Sequence, residues 1–240
     1  MKNRKVPQVS KVPKVSKVEK KFIFALVFAF LGFIALQIPV NELVGSRVKF
    51  TLFDLFAPIS GAFLGTLPGI VSVFIIQLVN IATHGFNLTD KGIIIRLFPT
   101  LFGVWFFAKK EGKLLVVPAL AIIAFNFHPI GRSVWFYSLF WTIPFIVWPF
   151  RERFLIARSL GATFTAHSVG GALWIWAFSL PANIWISLIP VVVMERAIFA
   201  LGISAFYIFF NNFLAICVKW NVLKGVFSPD KRYLIRQLKI

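Results

Sequence analysis

Glu195 and Arg196 are adjacent within the apolar run Leu188-Ile-Pro-Val-Val-Val-Met-Glu-Arg-Ala-Ile-Phe-Ala-Leu-Gly202. Near the centre of a membrane helix each such side chain costs roughly 2.5 to 3.5 kcal/mol, offset only by a partner or a wet cavity. Spacing supplies a partner for Glu195. Apolar segments 155–178 and 184–218 flank the turn Ser179-Leu-Pro-Ala-Asn183, and His167 and Glu195 each stand fourteen residues from Pro181. In an antiparallel hairpin they lie at equal depth, about 16 Å below the outer helix ends at ~1.5 Å per residue. A carboxylate opposite an imidazole makes either a His⁺–Glu⁻ pair or a neutral hydrogen bond. Trp174 lies two turns above His167 on the same face, with Gly170 and Gly171 between them. That pattern predicts an outward-facing cavity with an aromatic wall and a polar floor. Arg196 points about 100° away from Glu195 on a helix and is left without a partner.

A second polar stripe, Gln77, Asn80 and His84, is spaced i, i+3, i+7 and shares one helix face. Asp90, Arg96, Asn126, His128 and Arg132 fall at a similar depth, as ligand contacts or as solvated interfacial groups. The three histidines have neither H-x-x-x-H nor H-E-x-x-H spacing, so no metal site is expected. There is no G-x-S-x-G nucleophile elbow and no phosphate-cradling Gly-Lys-Ser/Thr motif. Cys217 is the only cysteine, which excludes an internal disulfide. No cofactor is expected.

These residues are carried by a chain whose composition is that of a polytopic membrane protein. Hydrophobic residues make up 59% of it, beyond the ~45–50% of soluble domains, and only 14% is charged. Thirty Phe and eight Trp suit packed membrane interiors and interfacial belts. The net charge of +18 would suggest nucleic acid in a soluble protein, but its placement argues otherwise. Eight cations precede Phe22 and six follow Val218, which is the positive-inside pattern and an attraction to anionic lipids, with no nucleic-acid partner.

Hydropathy marks segments 22–40, 55–66, 69–84, 92–108, 114–128, 133–150, 155–178 and 184–218. The expected fold is an all-α, polytopic membrane bundle of six to eight membrane segments with both termini cytoplasmic. That topology puts 20 of the 26 Lys and Arg inside; merging 55–84 into one span would place Lys109, Lys110 and Lys113 outside. Phe22–Val40 follows a basic tail as a signal peptide would, but it is long enough to span and lacks an A-x-A-like cleavage site. It is therefore read as a retained first helix. Residues 1–21 read as a disordered basic cytoplasmic tail, 22–218 as the transmembrane domain, and 219–240 as a basic cytoplasmic C-terminal tail. The outer loop 41–54, with Arg47-Val-Lys-Phe-Thr-Leu-Phe-Asp54, is either a short extended lid or an ordinary connection.

Three stripes of small residues could bring helices close: Ala25, Ala29 and Gly32; Gly61, Gly65 and Gly69; and Ala162, Ala166 and Gly170. Taken together with Phe53-Asp-Leu-Phe-Ala-Pro-Ile-Ser-Gly-Ala-Phe-Leu-Gly-Thr-Leu-Pro-Gly69, the basic loop after the fourth helix and the terminal hairpin ending in Glu195-Arg196, the chain resembles the substrate-specific S component of energy-coupling factor (ECF) vitamin transporters. The resemblance covers roughly 22–110 and 155–218; segments 114–128 and 133–150 read as an inserted hairpin beyond that family's six helices. It implies no catalysis, a vitamin-like ligand, and docking of a transmembrane coupling subunit on Ala25, Ala29 and Gly32, with partner ATP-binding-cassette ATPases supplying energy. The ligand would enter beneath 41–54 and contact Asn80, His84, Arg96, His167, Trp174 and Glu195. Two rival readings are an integral-membrane enzyme using His167 and Glu195 as acid and base, and a membrane scaffold whose polar pairs are only structural.

Overall fold

The computed structural model describes residues 16–42, 49–84, 90–108, 110–235 and 238. The expectations for Arg47, for Lys109 and for the tail before Ser16 lie outside the described residues. Helix α1 (Lys17–Leu36) starts earlier than the sequence reading, because Ser16 and Glu19 form a reciprocal capping box that satisfies two of its free N–H groups. Lys17 to Lys21 are therefore helical rather than part of a disordered tail. A two-stranded antiparallel ribbon follows, β1 (Pro39–Glu42) and β2 (Lys49–Thr51), with Asn41 paired to Phe50. It leads directly into α2 (Leu52–Leu64), where the Asp54 carboxylate accepts from the Thr51 N–H at 2.8 Å.

Gly65, at φ +98°, turns α2 back into α3 (Thr66–His84). A Cβ on Gly69 would lie 2.7 Å from the backbone of Gly61, so the Gly61 and Gly69 spacing exists to bring two backbones together. The apolar stretch after residue 90 is broken before Pro99, which disfavours helical geometry in the preceding residue. It yields α4 (Lys91–Arg96) and α5 (Pro99–Ala108). Beyond it come α6 (Val116–Phe127), the short α7 (Pro129–Ser133), a 3₁₀ segment Trp135–Thr142, α8 (Ile143–Val147) and a 3₁₀ turn Trp148–Phe150. The second arm of this hairpin is mostly 3₁₀, with Pro144 and Pro149 withholding backbone donors. Finally α9 (Leu155–Phe178) and α10 (Ala182–Lys219) form the terminal hairpin around Ser179, whose left-handed backbone (φ 48°) caps α9.

Among the described residues, three stretches are long and apolar enough to cross a membrane: Thr66–His84, Lys91–Ala108 and Ala182–Lys219. At ~1.5 Å per residue α10 is about 57 Å long against a hydrocarbon core of ~30 Å, so it extends past one bilayer face unless strongly tilted. The interior consists of two apolar clusters. In one, Phe28, Phe56, Phe63, Phe106, Phe107 and Phe210 gather α1, α2, α5 and the second half of α10. In the other, Phe125, Tyr137, Trp141, Phe164, Ile175 and Trp185 join α6, the 3₁₀ arm, α9 and the first half of α10.

Residues 219–235 do not trail away as a tail. Asn211 Nδ2 donates to the Asp230 carbonyl (3.0 Å) and its Oδ1 accepts from Asp230 N (2.8 Å), while Asn212 bonds Tyr233 O and Ile235 N. Arg232 reaches across to the Glu152 carbonyl and pairs with Asp230 at 2.7 Å. Lys110 meets Glu152 at 2.7 Å, and Lys20 Nζ contacts Asn221 O. Lys110 and Arg232 thus meet at Glu152, and Lys20 reaches the same C-terminal segment. There Arg151, whose side chain is only 2% exposed, stacks on Trp148 and Phe106 and donates to Phe106 O at 2.8 Å. Its burial, with Arg158 nearby, pulls its pKa down to about 10.

Candidate functional site: a charged cavity between two cores

At the other end, where the two clusters diverge, a cavity of about 130 Å³ remains. It is close to the ~150 Å³ cavity that admits one benzene ring and far above the ~10–15 Å³ needed by one water. Each wall comes from a different element. Asp54 is placed by the cap of α2 and Arg96 by the break between α4 and α5. Tyr137 comes from the 3₁₀ arm, His167 and Trp174 from α9, and Trp185 and Arg196 from α10. Phe50 of β2 is also part of the lining, and the guanidinium carbons of Arg96 and Arg196 lie 5.6 and 5.0 Å from the centre of its ring. Such contacts are attractive because the ring face is electron-rich.

Of the six predicted ligand contacts, Arg96, His167 and Trp174 share this cavity. Asn80 and His84 line a neighbouring cavity of about 230 Å³ together with Gln77, Asp54 and Arg96. Asp54 and Arg96, 3.7 Å apart, therefore stand on the partition between the two spaces. Asn80 also accepts from Gln37 at 2.8 Å, tying α1 to α3, and its carbonyl meets His84 Nδ1 at 2.9 Å.

The pairing predicted for His167 is not formed. Trp141 Nε1 donates to His167 Nδ1 (3.1 Å), and Nε2 faces the Tyr137 hydroxyl at 3.3 Å. An indole N–H can only donate, so Nδ1 accepts and the ring proton sits on Nε2. The hairpin register gave the correct depth; rotation about the helix axes and the inserted arm decided the partner. Glu195 instead pairs with its neighbour Arg196 at 3.3 Å and lies outside the linings of both cavities. The roles expected for the two are thus exchanged, with Arg196 facing the site and Glu195 behind it. Arg196 also donates to Thr163 Oγ1 at 3.3 Å, stacks over Phe199, and keeps a buried Nε with no partner in the protein. A smaller void of about 30 Å³ continues past Arg196 toward Thr163 and Ile203.

The expected docking stripe is divided, with Ala25 and Ala29 half-buried and Gly32 turned inward. Gly32 is buried, and a Cβ there would meet Ile76 at 3.0 Å and Phe56 at 3.1 Å, so this glycine admits α2 and α3 rather than a partner. Ala29 also packs on the first cluster. The outward face of α1 is instead Phe22, Leu26, Val27 and Phe30, each more than half exposed.

Sequence reasoning overlooked Tyr137, Phe50 and Trp185, which come from an inserted arm, a ribbon and a helix start. Asp54 had a usable signal as a lone acid amid apolar residues. Among the described residues no group of three or more His, Cys, Asp or Glu comes together to hold a metal.

No protein-family model matches the chain, and no solved structure matches it. The chain is similar to an uncharacterized protein of Methanocaldococcus jannaschii, 26% identical over 247 residues, covering 92% of this chain and 81% of that protein.

Proposed function

We propose that this chain is a multi-pass protein of the cell membrane, with both termini cytoplasmic, and the substrate-binding subunit of an ATP-driven uptake transporter of the energy-coupling factor type. The observation that carries the reading is the cavity: aromatic walls, two arginines and an aspartate converging from six elements, beside the extended ribbon on the predicted outer side. Small-molecule sites combine an apolar lining with a few convergent polar groups in this way. Lys20, Lys110, Arg151 and Arg232, gathered at the opposite end, favour a cytoplasmic placement for that end and contact with anionic lipid. Large exposed side chains such as Leu26, Phe209, Leu201 and Phe127 suit a lipid surround. Energy would come from partner ATPases through a coupling subunit, docked on the outward face of α1.

The acid–base enzyme is the weaker reading. Its carboxylate, Glu195, is not part of the cavity lining, and both ring nitrogens of His167 are already held. The test is native mass spectrometry of the purified protein against a vitamin panel, followed by uptake into vesicles holding this chain with its coupling subunits. Tight retention of one vitamin and ATP-dependent uptake are expected. Turnover of a lipid with no retained ligand would favour an enzyme.

A further inference from the structure

The same cavity also indicates the charge and shape of what it holds, an inference that rests on its being a ligand site. Its polar lining is rich in donors and poor in acceptors. Arg96 is one-third exposed, and its charged contact among the described residues, Asp54 at 3.7 Å, lies beyond hydrogen-bond length. Arg196 has a side chain only 5% exposed; its terminal nitrogens meet Glu195 and Thr163 at 3.3 Å, and its buried Nε has no partner in the protein. Because His167 donates its Nε2 proton to Tyr137 Oη, the Tyr137 hydroxyl proton remains free to turn into the cavity. On the acceptor side stands Asp54, and its Oδ2 is already taken by the Thr51 N–H at 2.8 Å. A guanidinium whose donors are left unsatisfied in a buried site is costly, and a carboxylate is the group whose two oxygens fit its planar fork.

We propose that the site binds a small aromatic carboxylate. The anionic group is held by Arg96 and Arg196 with the Tyr137 hydroxyl as a third donor, and the ring lies against Trp174 and Trp185. The cavity volume of about 130 Å³ limits the ring in this chamber to about one six-membered ring. Substituents would extend past Asp54 into the chamber lined by Gln77, Asn80 and His84.

Three probes of near-equal shape separate the alternatives: benzoate, benzamide and benzylammonium, titrated into the purified full-length protein in nanodiscs by calorimetry. Benzoate is expected to bind at least tenfold more tightly than benzamide, and benzylammonium not at all. Arg96→Gln, at a partly exposed position, should retain the wild-type melting temperature and lose that preference. Arg196→Lys keeps the charge but not the fork, and should weaken benzoate at least tenfold while leaving benzamide unchanged. Equal binding of benzoate and benzamide, a preference for the cation, an unchanged preference in Arg96→Gln, or binding of none of the three would overturn the proposal. A neutral or cationic vitamin taken up in the transport assay would overturn this ligand class and leave the transporter reading intact. Benzoate selectivity without ATP-dependent uptake would do the reverse.

Discussion

Arg196 and Glu195 meet at a point where α10 passes from one apolar cluster to the other, with Val192 belonging to one and Ile203 to the other. Their 3.3 Å contact pairs the carboxylate with one guanidinium nitrogen, while Arg196 and not Glu195 is part of the cavity lining. Glu195→Gln removes a charged acceptor from a buried cation, so thermal unfolding should report a loss of roughly 2 kcal/mol, within the 1.5–3 kcal/mol of charged hydrogen bonds. Ligand retention should survive, because Glu195 does not line the site. An equal loss of ligand in a folded Glu195→Gln variant would return Glu195 to the binding set. Trp141→Phe keeps most of the packing and deletes the donor to His167 Nδ1. The expected cost is about 1–3 kcal/mol from an acceptor left buried, and no change would mean that the indole bond does not orient the ring.

Among the elements, α9 is closely packed along its glycines. A Cβ on Gly171 would lie 2.5 Å from Trp141 Cζ2, within the ring that holds His167. Gly171→Ala should therefore destabilise the fold by about 1–3 kcal/mol, as overpacking does, and lower ligand affinity as well. Gly112→Ala is the matched control: nothing lies within 4 Å of its added Cβ, and the change should stay within ~0.5 kcal/mol. On α1 the inward glycine and the outward large side chains separate two roles. Leu26→Ser with Phe30→Ser should weaken co-purification of a coupling subunit while leaving ligand binding unchanged. If the complex survives that pair intact, docking lies elsewhere.

For the molecule as a whole, the end rich in cations is closed by its own C-terminal segment. Hydrogen bonds from the Arg232 guanidinium hold the Asp230 carboxyl below its usual range, outweighing the opposing effect of partial burial. A carboxyl with a depressed folded pKa stabilises above its unfolded value of ~3.9, and that contribution is lost as pH falls through the folded value. Proteolysis of residues 220–235 should therefore accelerate below about pH 4 and be insensitive to pH between 5 and 8. Asp230→Asn should bring the fast rate to neutral pH. Orientation can be read with an impermeant maleimide on intact cells after Cys217→Ser: Asn183→Cys should label and Lys113→Cys should not. The opposite pattern would invert the proposed topology.

The sequence by itself determined the apolar segments, the break between 55–66 and 69–84, the hairpin turn around Ser179–Asn183 and the basic stretches, because each depends on local composition or periodicity. It also identified Arg96, His167 and Trp174, since polar or aromatic residues on otherwise apolar helices stand out without any knowledge of their neighbours. Only the tertiary structure decided who faces whom. His167 meets Trp141 and Tyr137 because an arm about thirty residues upstream packs on α9, a contact that no helical period encodes. Arg196 rather than Glu195 enters the cavity because adjacent residues point about 100° apart, and helix rotation is fixed by packing of the whole bundle. Gly32 faces inward for the same reason: a small residue permits close approach, and the surrounding helices choose what approaches.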